Sequence, residues 1–458
     1  MRGADRSGPT QQPPIGPGVA PIVGLSLVSA AMFGSLTIGA LVGSSWRWRP
    51  RTTRETITYV SGMFSGSRPL DGYGVRAPLA GVVTVATLLL VTVAFVAIVS
   101  KRMANTATKS RGLAVRRDLV DMSAEAHMAK LDVYRPGHTG PVSPYTTGVA
   151  LGTAHTGQQV WGTIEDTYSV IGPPRSSKTR RFIAPFVAHF EGSVLVTGLR
   201  PEIVMWTMDW RTKGVRWVFD PADGLDLKPG LTRLRWSPLV GCTDELTALQ
   251  RATAMFGARP DTGSNEAYWR QEGRNVLTAY LLAAATAGET IMKVMQWADR
   301  STSTEPVEIL RGDGDSLAMW GDSLAAAVAN EPRYKAGVWG QVKQALEPFL
   351  LPSVRAVTVV PVEESFTAEE FIAGWNTLYM LGSPSEQHAV AGLCAALADH
   401  VIENGRREAR RLGRMTIPLG LALDEAANTA PIPNLDQVMS SCGGSGMCLA
   451  VVVQSVGQ

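Results

Sequence analysis

Two long runs without a charged residue open the chain: residues 19–43, and residues 79–100, which read LAGVVTVATLLLVTVAFVAIVS. A helix rises ~1.5 Å per residue, so either run is long enough to cross a hydrocarbon layer of ~30 Å. Trp46 and Trp48 follow the first run, where an interfacial aromatic belt belongs. The pattern therefore predicts two transmembrane helices, at 19–43 and 79–100. A disordered Pro- and Gly-rich tail is expected at 1–18 and an extracytoplasmic loop at 44–78. A cleaved signal peptide is the alternative for the first run, because Arg2 and Arg6 precede it, but the run exceeds the ~7–15 residue core of such a leader. Basic residues do not orient the pair by themselves. Arg47, Arg49, Arg51, Arg54, Arg68 and Arg76 in the loop compete with Lys101, Arg102, Lys109, Arg111, Arg116 and Arg117 after the second helix.

From residue 101 the pattern changes. A polar linker at 101–150 leads into short β-branched runs that predict strands at 168–171 (YSVI), 357–362 (VTVVPV), 377–381 (TLYML), 417–423 (IPLGLAL) and 449–453 (LAVVV). Between 242 and 352 apolar residues recur every three or four positions instead, at 246–256, 268–287, 322–329 and 334–351. The expected fold is thus α/β, its two parts at 151–241 and 353–458 separated by an inserted all-α domain at 242–352. Trp269, Trp297, Trp320 and Trp339 in the insert read as core and interface anchors rather than base-stacking platforms. An Ala- and Leu-rich helix at 388–404 ends in Arg406, Arg407, Arg410, Arg411 and Arg414. These are a solvated helix end by default, with contact to DNA phosphate as the sharper alternative.

Composition narrows the class. With 458 residues, 45% of them hydrophobic and 18% charged, the chain is too apolar to be disordered, and a net charge of +3 leaves no global basic field for nucleic acid. Cys242, Cys394, Cys442 and Cys448 are too scattered for a disulfide framework or a zinc site, and they read as reduced thiols. His388 and His400 have no ligand at metal spacing, and no Ser–His–Asp or Cys–His set supports nucleophilic hydrolysis.

The chemistry is carried by GPPRSSKT, residues 172–179, which stand between a predicted strand and a helical pattern, RRFIAPFVAHF. Strand, loop and helix in that order make a phosphate-binding loop. The backbone of Gly172, Pro173, Pro174, Arg175, Ser176, Ser177, Lys178 and Thr179 would wrap the phosphates of ATP. Lys178 would reach the β and γ phosphates, and Thr179 would hold Mg²⁺. Ser177 stands where the motif has its second glycine, and a Cβ there is expected to crowd the loop and slow turnover. The strand at 417–423 delivers Asp424 and Glu425 at its carboxyl end, where ligands collect in open α/β sheets. Asp424 is expected to hold Mg²⁺ and Glu425 to orient or deprotonate the attacking water; an acidic helix cap is the structural alternative. Gln454 ends the strand at 449–453, placed to sense the γ-phosphate or its water, or merely to hydrogen-bond a turn.

These segments carry a resemblance. GPPRSSKT, SVLVTGLRPEI, FDPADG with RWSPL, AYWRQEGRNVLTAYLLAA and LALDEAANTAPIPNLDQVMSSCGGSGMCLAVVVQS, in this order over 161–458, resemble the conjugative coupling proteins of type IV secretion, the VirD4, TraG and TraD family. The two preceding apolar runs resemble that family's membrane anchor. The resemblance implies a RecA-like ATPase that forms a hexamer at the inner face of the bacterial cell membrane. It also implies delivery of single-stranded DNA, with its relaxase, or of protein into a secretion channel. An FtsK-like pump for double-stranded DNA and a nucleotide-binding membrane receptor with little turnover are the alternatives. The family usually continues beyond the strand at 449–453, so a truncated product is expected.

Overall fold

The computed structural model describes residues 38, 54, 86–101, 113–222, 225–257, 264–382 and 387–455. The chain divides into two units, Met1–Val115 and Arg116–Gln458. In the first unit, 86–101 is helical and exposes Leu89, Leu90, Val93, Val96 and Ile98. Among the described residues no helix is long and apolar enough to cross a membrane. Apart from Ile38 and Arg54, the tail at 1–18, the run at 19–43, the loop at 44–78 and the start of the run at 79–100 lie outside the described residues.

The second unit is built on a seven-stranded sheet whose strand pairs are all parallel. Its strands are β3 (Thr167–Ile171), β4 (Ser193–Gly198), β5 (Arg216–Phe219), β6 (Thr232–Arg233), β7 (Thr377–Leu381), β8 (Leu419–Asp424) and β9 (Met447–Val453), in the spatial order β3-β9-β8-β4-β7-β5-β6. Successive side chains of a strand point to opposite faces. Leu419, Leu421 and Leu423 of β8 and Leu449 and Val451 of β9 accordingly enter one core, whereas Ala422, Cys448, Ala450 and Val452 enter another. Apolar residues on both faces are what a parallel sheet covered by helices requires, and the reason these strands read as continuous hydrophobic runs.

The first core is closed by α2 (Glu245–Phe256), α3 (Ser264–Thr286), α4 (Pro332–Leu346) and α5 (Gln387–Leu412); the second by α1 (Ala184–His189) and a turn of helix at Glu202–Thr207. Between 242 and 352 the described residues hold helices and no strand. Trp297 and Trp339 are buried there, Trp269 and Trp320 partly so. The indoles of Trp297, Trp320 and Trp339 donate to Glu305, Glu245 and the Tyr280 hydroxyl. All four cysteines are buried free thiols, and among the described residues no group of side chains could hold a metal ion by His, Cys, Asp and Glu alone.

Two segments differ from expectation, and β4, β5 and β6 were not among the predicted strands. VTVVPV is not a strand: Pro352–Thr358 is helical and Val362–Glu364 is a 3-10 turn. Pro352 presets the first helical turn, Val354 and Val357 share its buried face, and Pro361 cannot continue it. An antiparallel hairpin, β1 (Gly148–Thr153) with β2 (Gln159–Thr163), precedes the sheet and had no clear alternating signal. The arginine run is largely neutralised within the chain. Arg406 pairs with Glu403, Arg411 with Glu408 and Arg414 with Glu165, while Arg407 donates to the Thr247 hydroxyl. Arg407, Arg410 and Arg411 are exposed.

Candidate nucleotide site

Parallel strands place their carboxyl ends at one edge of the sheet, and β9 lies between β3 and β8. The register sets Ile171 beside Val453 and Asp424 beside Val452, so the segments after three adjacent strands leave the sheet together. Gly172 to Lys178 leave β3, Glu425 leaves β8, and Gln454 leaves β9. The backbone ties them: the Gly172 N–H donates to the Val453 carbonyl at 3.3 Å and the Glu425 N–H to the Val452 carbonyl at 3.1 Å.

Pro173, Pro174, Arg175, Ser176 and Ser177 form the exposed rim of the loop. Arg175 and Ser177 both sit in the left-handed region, at φ 63° and 62°, with Lys178 right-handed at φ −54°. Such an alternation turns neighbouring N–H groups toward one point and makes an anion-binding nest. Ser177 thus already adopts the backbone that a glycine would favour, so serine is accommodated in this loop rather than displacing it. Gly172 lies under the loop, where an added Cβ would stand 3.0 Å from the Ser176 hydroxyl. The Lys178 ammonium donates to the Gly172 and Pro173 carbonyls at 2.5 and 2.9 Å.

Thr179 opens a wide π turn, Thr179–Ile183, in which the Ala184 N–H reaches back to the Thr179 carbonyl. Pro185 follows, and its ring needs room against the carbonyl four residues earlier; the wider turn supplies that room. The turn aims the Thr179 hydroxyl at Asp424, to which it donates a short hydrogen bond. Asp424 is 6% exposed. Burial raises its carboxyl above the ordinary value; the Thr179 hydrogen bond opposes this, Glu425 adds to the rise and the Lys178 charge draws it back. Glu425 is left-handed at φ 51° and caps the turn Ala426–Thr429. The Gln454 amide donates to its carboxylate at 3.2 Å.

The structure therefore brings Lys178, Thr179, Asp424, Glu425 and Gln454 into one constellation, with Gly172 beneath and Arg175 to Ser177 at the rim. Sequence reading missed Thr197. Its hydroxyl, at the end of β4, donates to the Asp424 carbonyl at 3.0 Å and fixes the end of β8. A threonine closing an apolar run, SVLVTG, was its only trace in the sequence.

A family model described as type IV secretory system conjugative DNA transfer matches residues 120–458. The chain belongs to this family. Among solved structures, the chain is similar to the bacterial conjugative coupling protein TrwBdeltaN70 in an unbound monoclinic form. That match has 13% identity and a TM-score of 0.47, covering 73% of this chain and 69% of that one. The plasmid coupling protein TrwB in complex with the non-hydrolysable ATP analogue ADPNP matches at 15% identity and TM-score 0.44. The same protein with ADP and Mg²⁺ matches at 14% and 0.44. Over each of these two the chain spans 64% of that protein's length and 64% of its own. No curated protein matches this sequence.

Proposed function

We propose that this conjugative DNA transfer protein is a membrane-anchored, ATP-driven coupling protein. It recruits single-stranded DNA with its relaxase, or a protein substrate, and moves it as a homo-hexamer into a type IV secretion channel. The constellation of Lys178, Thr179, Asp424, Glu425 and Gln454 at three adjacent strand ends is the observation that carries this reading. The uncharged runs at 19–43 and 79–100 support the anchor, and the nucleotide motif that follows them supports a cytoplasmic ATPase side.

The residues fit a Mg²⁺-nucleotide. The nest at Arg175 to Lys178 and the close approach at Gly172 suit phosphate oxygens. The Thr179 hydroxyl and Asp424 carboxylate are the hard oxygen donors that Mg²⁺ takes. When bound, the Mg²⁺-nucleotide supplies a phosphoryl group whose displacement by water releases the free energy for transport. Lys178 exchanges its two carbonyl partners for phosphate and places its charge there. Asp424, held by Thr197 and Thr179, keeps its carboxylate at the metal position. Glu425 orients a water and accepts its proton at a carboxylate oxygen, and Gln454 holds that carboxylate in place until the water arrives.

Lys178→Ala in the full chain tests the reading. ATP turnover, measured with and without single-stranded DNA, is expected to fall by about 10²–10³ while the unfolding midpoint holds. Turnover equal to wild type would overturn the loop's assignment, and wild-type turnover near background would favour the receptor.

A further inference from the structure

The nucleotide loop is short of backbone donors. Pro173 and Pro174 carry no N–H, and the Ser176 N–H is turned onto the Pro173 carbonyl at 3.4 Å. Between 173 and 178 that leaves the N–H groups of Arg175, Ser177 and Lys178 for phosphate oxygens. Side-chain charge makes up the deficit. Residues 172–183 carry Arg175, Lys178, Arg180 and Arg181 and no acidic residue.

The two cations inside the motif are held differently. Lys178 rests on the Gly172 and Pro173 carbonyls, whereas Arg175 is exposed and makes no hydrogen bond or ion pair among the described residues. Arg175 also stands at φ 63°, where a Cβ is disfavoured and glycine is the undemanding choice. Two prolines restrict the chain that enters it. Its backbone is part of the nest, so an uncommitted guanidinium is tethered beside the place where phosphate oxygens sit.

We infer that Arg175 is a catalytic residue for the nucleotide held by its own loop, its guanidinium meeting the γ-phosphoryl group. This rests on the ATPase reading above. In the displacement the water oxygen bonds to the γ phosphorus while the bond to the β–γ bridging oxygen breaks; the leaving oxygen keeps the electron pair and Glu425 takes the proton. Arg175 offsets the negative charge spread over the phosphoryl and leaving oxygens at that moment. An arginine for this purpose can come from the same chain or from a neighbour, and Arg175 gives each chain its own.

The test uses full chains carrying Arg175→Ala or Arg175→Lys, with Arg180→Ala and Arg200→Ala as exposed controls. Alanine pays the same left-handed penalty as arginine, so Arg175→Ala removes the guanidinium without changing the demand on the backbone. The probe is the fluorescent nucleotide mant-ADP with Mg²⁺, titrated with and without aluminium fluoride, which completes a mimic of the phosphoryl group in transfer. Fluoride is expected to tighten binding about ten-fold or more in wild type and both controls but not in Arg175→Ala, while mant-ADP alone binds all of them within about three-fold. Arg175→Lys should recover only part of the response, since an ammonium lacks the planar fork. ATP turnover of Arg175→Ala should fall about 10²-fold or more. Mixing it with Lys178→Ala chains, which keep Arg175, should not restore turnover. Restoration would overturn the assignment, because Arg175 would then serve a neighbour. An undiminished fluoride response in Arg175→Ala would overturn it outright. So would a loss shared by the controls, which is an effect of bulk charge, or a matching loss of mant-ADP binding, which is ground-state affinity. A wild type that binds mant-ADP without response to fluoride would overturn this inference alone. A wild type that binds no mant-ADP would overturn the nucleotide reading, and the inference with it.

Discussion

The nucleotide end of the sheet and the seam between α2 and α5 each gather a cluster of polar side chains, half-buried at the first apart from Asp424 and mostly buried at the second, and they hold them by different means. At the nucleotide end the groups rest on one another. Lys178 lies on two carbonyls of its own loop, Thr179 on Asp424, and Gln454 on Glu425. They are carried by strand ends and by residues with left-handed backbone, Arg175, Ser177 and Glu425. At the seam Arg251 of α2 is buried, donates to the Pro238 carbonyl at 2.7 Å and lies 4.6 Å over the Trp236 ring. On α5 the Asn404 amide donates to the His400 ring and to the His400 carbonyl. Arg407 reaches Thr247 of α2. Arg251, His400, Asn404 and Arg407 sit on two continuous helices, while Trp236 and Pro238 belong to the irregular segment before α2. The first cluster is made of contacts that phosphate and metal can take over; the second is a permanent joint. Polar burial alone does not mark a functional site; exchangeable partners on irregular backbone do.

The largest effects should come from the exchangeable cluster. Glu425→Gln keeps the shape and the contact with Gln454 but removes the base, so turnover is expected to fall about 10²–10⁴-fold with nucleotide affinity held. Asp424→Ala removes the metal-position carboxylate and should weaken Mg²⁺-dependent nucleotide binding itself. Nucleotide titrations on both variants decide the point. Equal loss of affinity would mean that the two carboxylates share one duty and that the cluster is less divided than its geometry suggests.

The joint offers a smaller effect of opposite character, in stability rather than turnover. Burial pushes the Asp399 carboxyl up to about 7; Glu403 adds to the rise, while Arg251 and Arg406 restrain it. An unfolded aspartate has a pKa near ~3.9, so between about pH 4 and pH 7 the folded state binds the extra proton. Stability should therefore decline as pH rises through that window, by at most about 1.4 kcal/mol per unit for one proton. Asp399→Asn should flatten this part of the profile in denaturant melts between pH 4 and 8. An unchanged slope would show that Asp399 does not sense the seam.

How far the two regions could be read in advance follows from the same difference. The nucleotide loop, β8 with its acidic pair and β9 with Gln454 are each local: a few consecutive residues state both the element and the chemistry. The seam is assembled from two stretches far apart in sequence, Trp236 with Arg251, and Asp399 and His400 with Arg407, which carry no motif, so only packing reveals it. For a similar reason VTVVPV misled. Its β-branched content favours a strand, but Pro352 and the burial of Val354 and Val357 favour a helix, and tertiary context decided. The hairpin of β1 and β2 was hidden by Gly148, Gly152 and Gly162, which leave little side-chain alternation to read, and Thr197 by being a single polar residue at the end of an apolar run.

The smallest effect, and the one that most sharpens the comparison, concerns Ser177. From sequence a serine in place of glycine was expected to weaken the site, since a Cβ resists left-handed backbone by roughly 1–2 kcal/mol. The loop, however, holds Ser177 at φ 62°, in the left-handed region, with Lys178 donating to the Gly172 and Pro173 carbonyls. Strain present before and after binding cancels from the affinity. Ser177→Gly should relieve about 1 kcal/mol in the folded chain and return roughly 0.4–1 kcal/mol by loosening the unfolded one, leaving the melting midpoint nearly unmoved. Nucleotide affinity and turnover should change by less than about five-fold, which corresponds to about 1 kcal/mol. Isothermal titration with nucleotide and a steady-state ATPase assay on both chains measure this. A gain above ten-fold would mean that the bound loop demands a backbone different from the one it holds alone, and the nucleotide end would then be remade by its ligand rather than preformed for it.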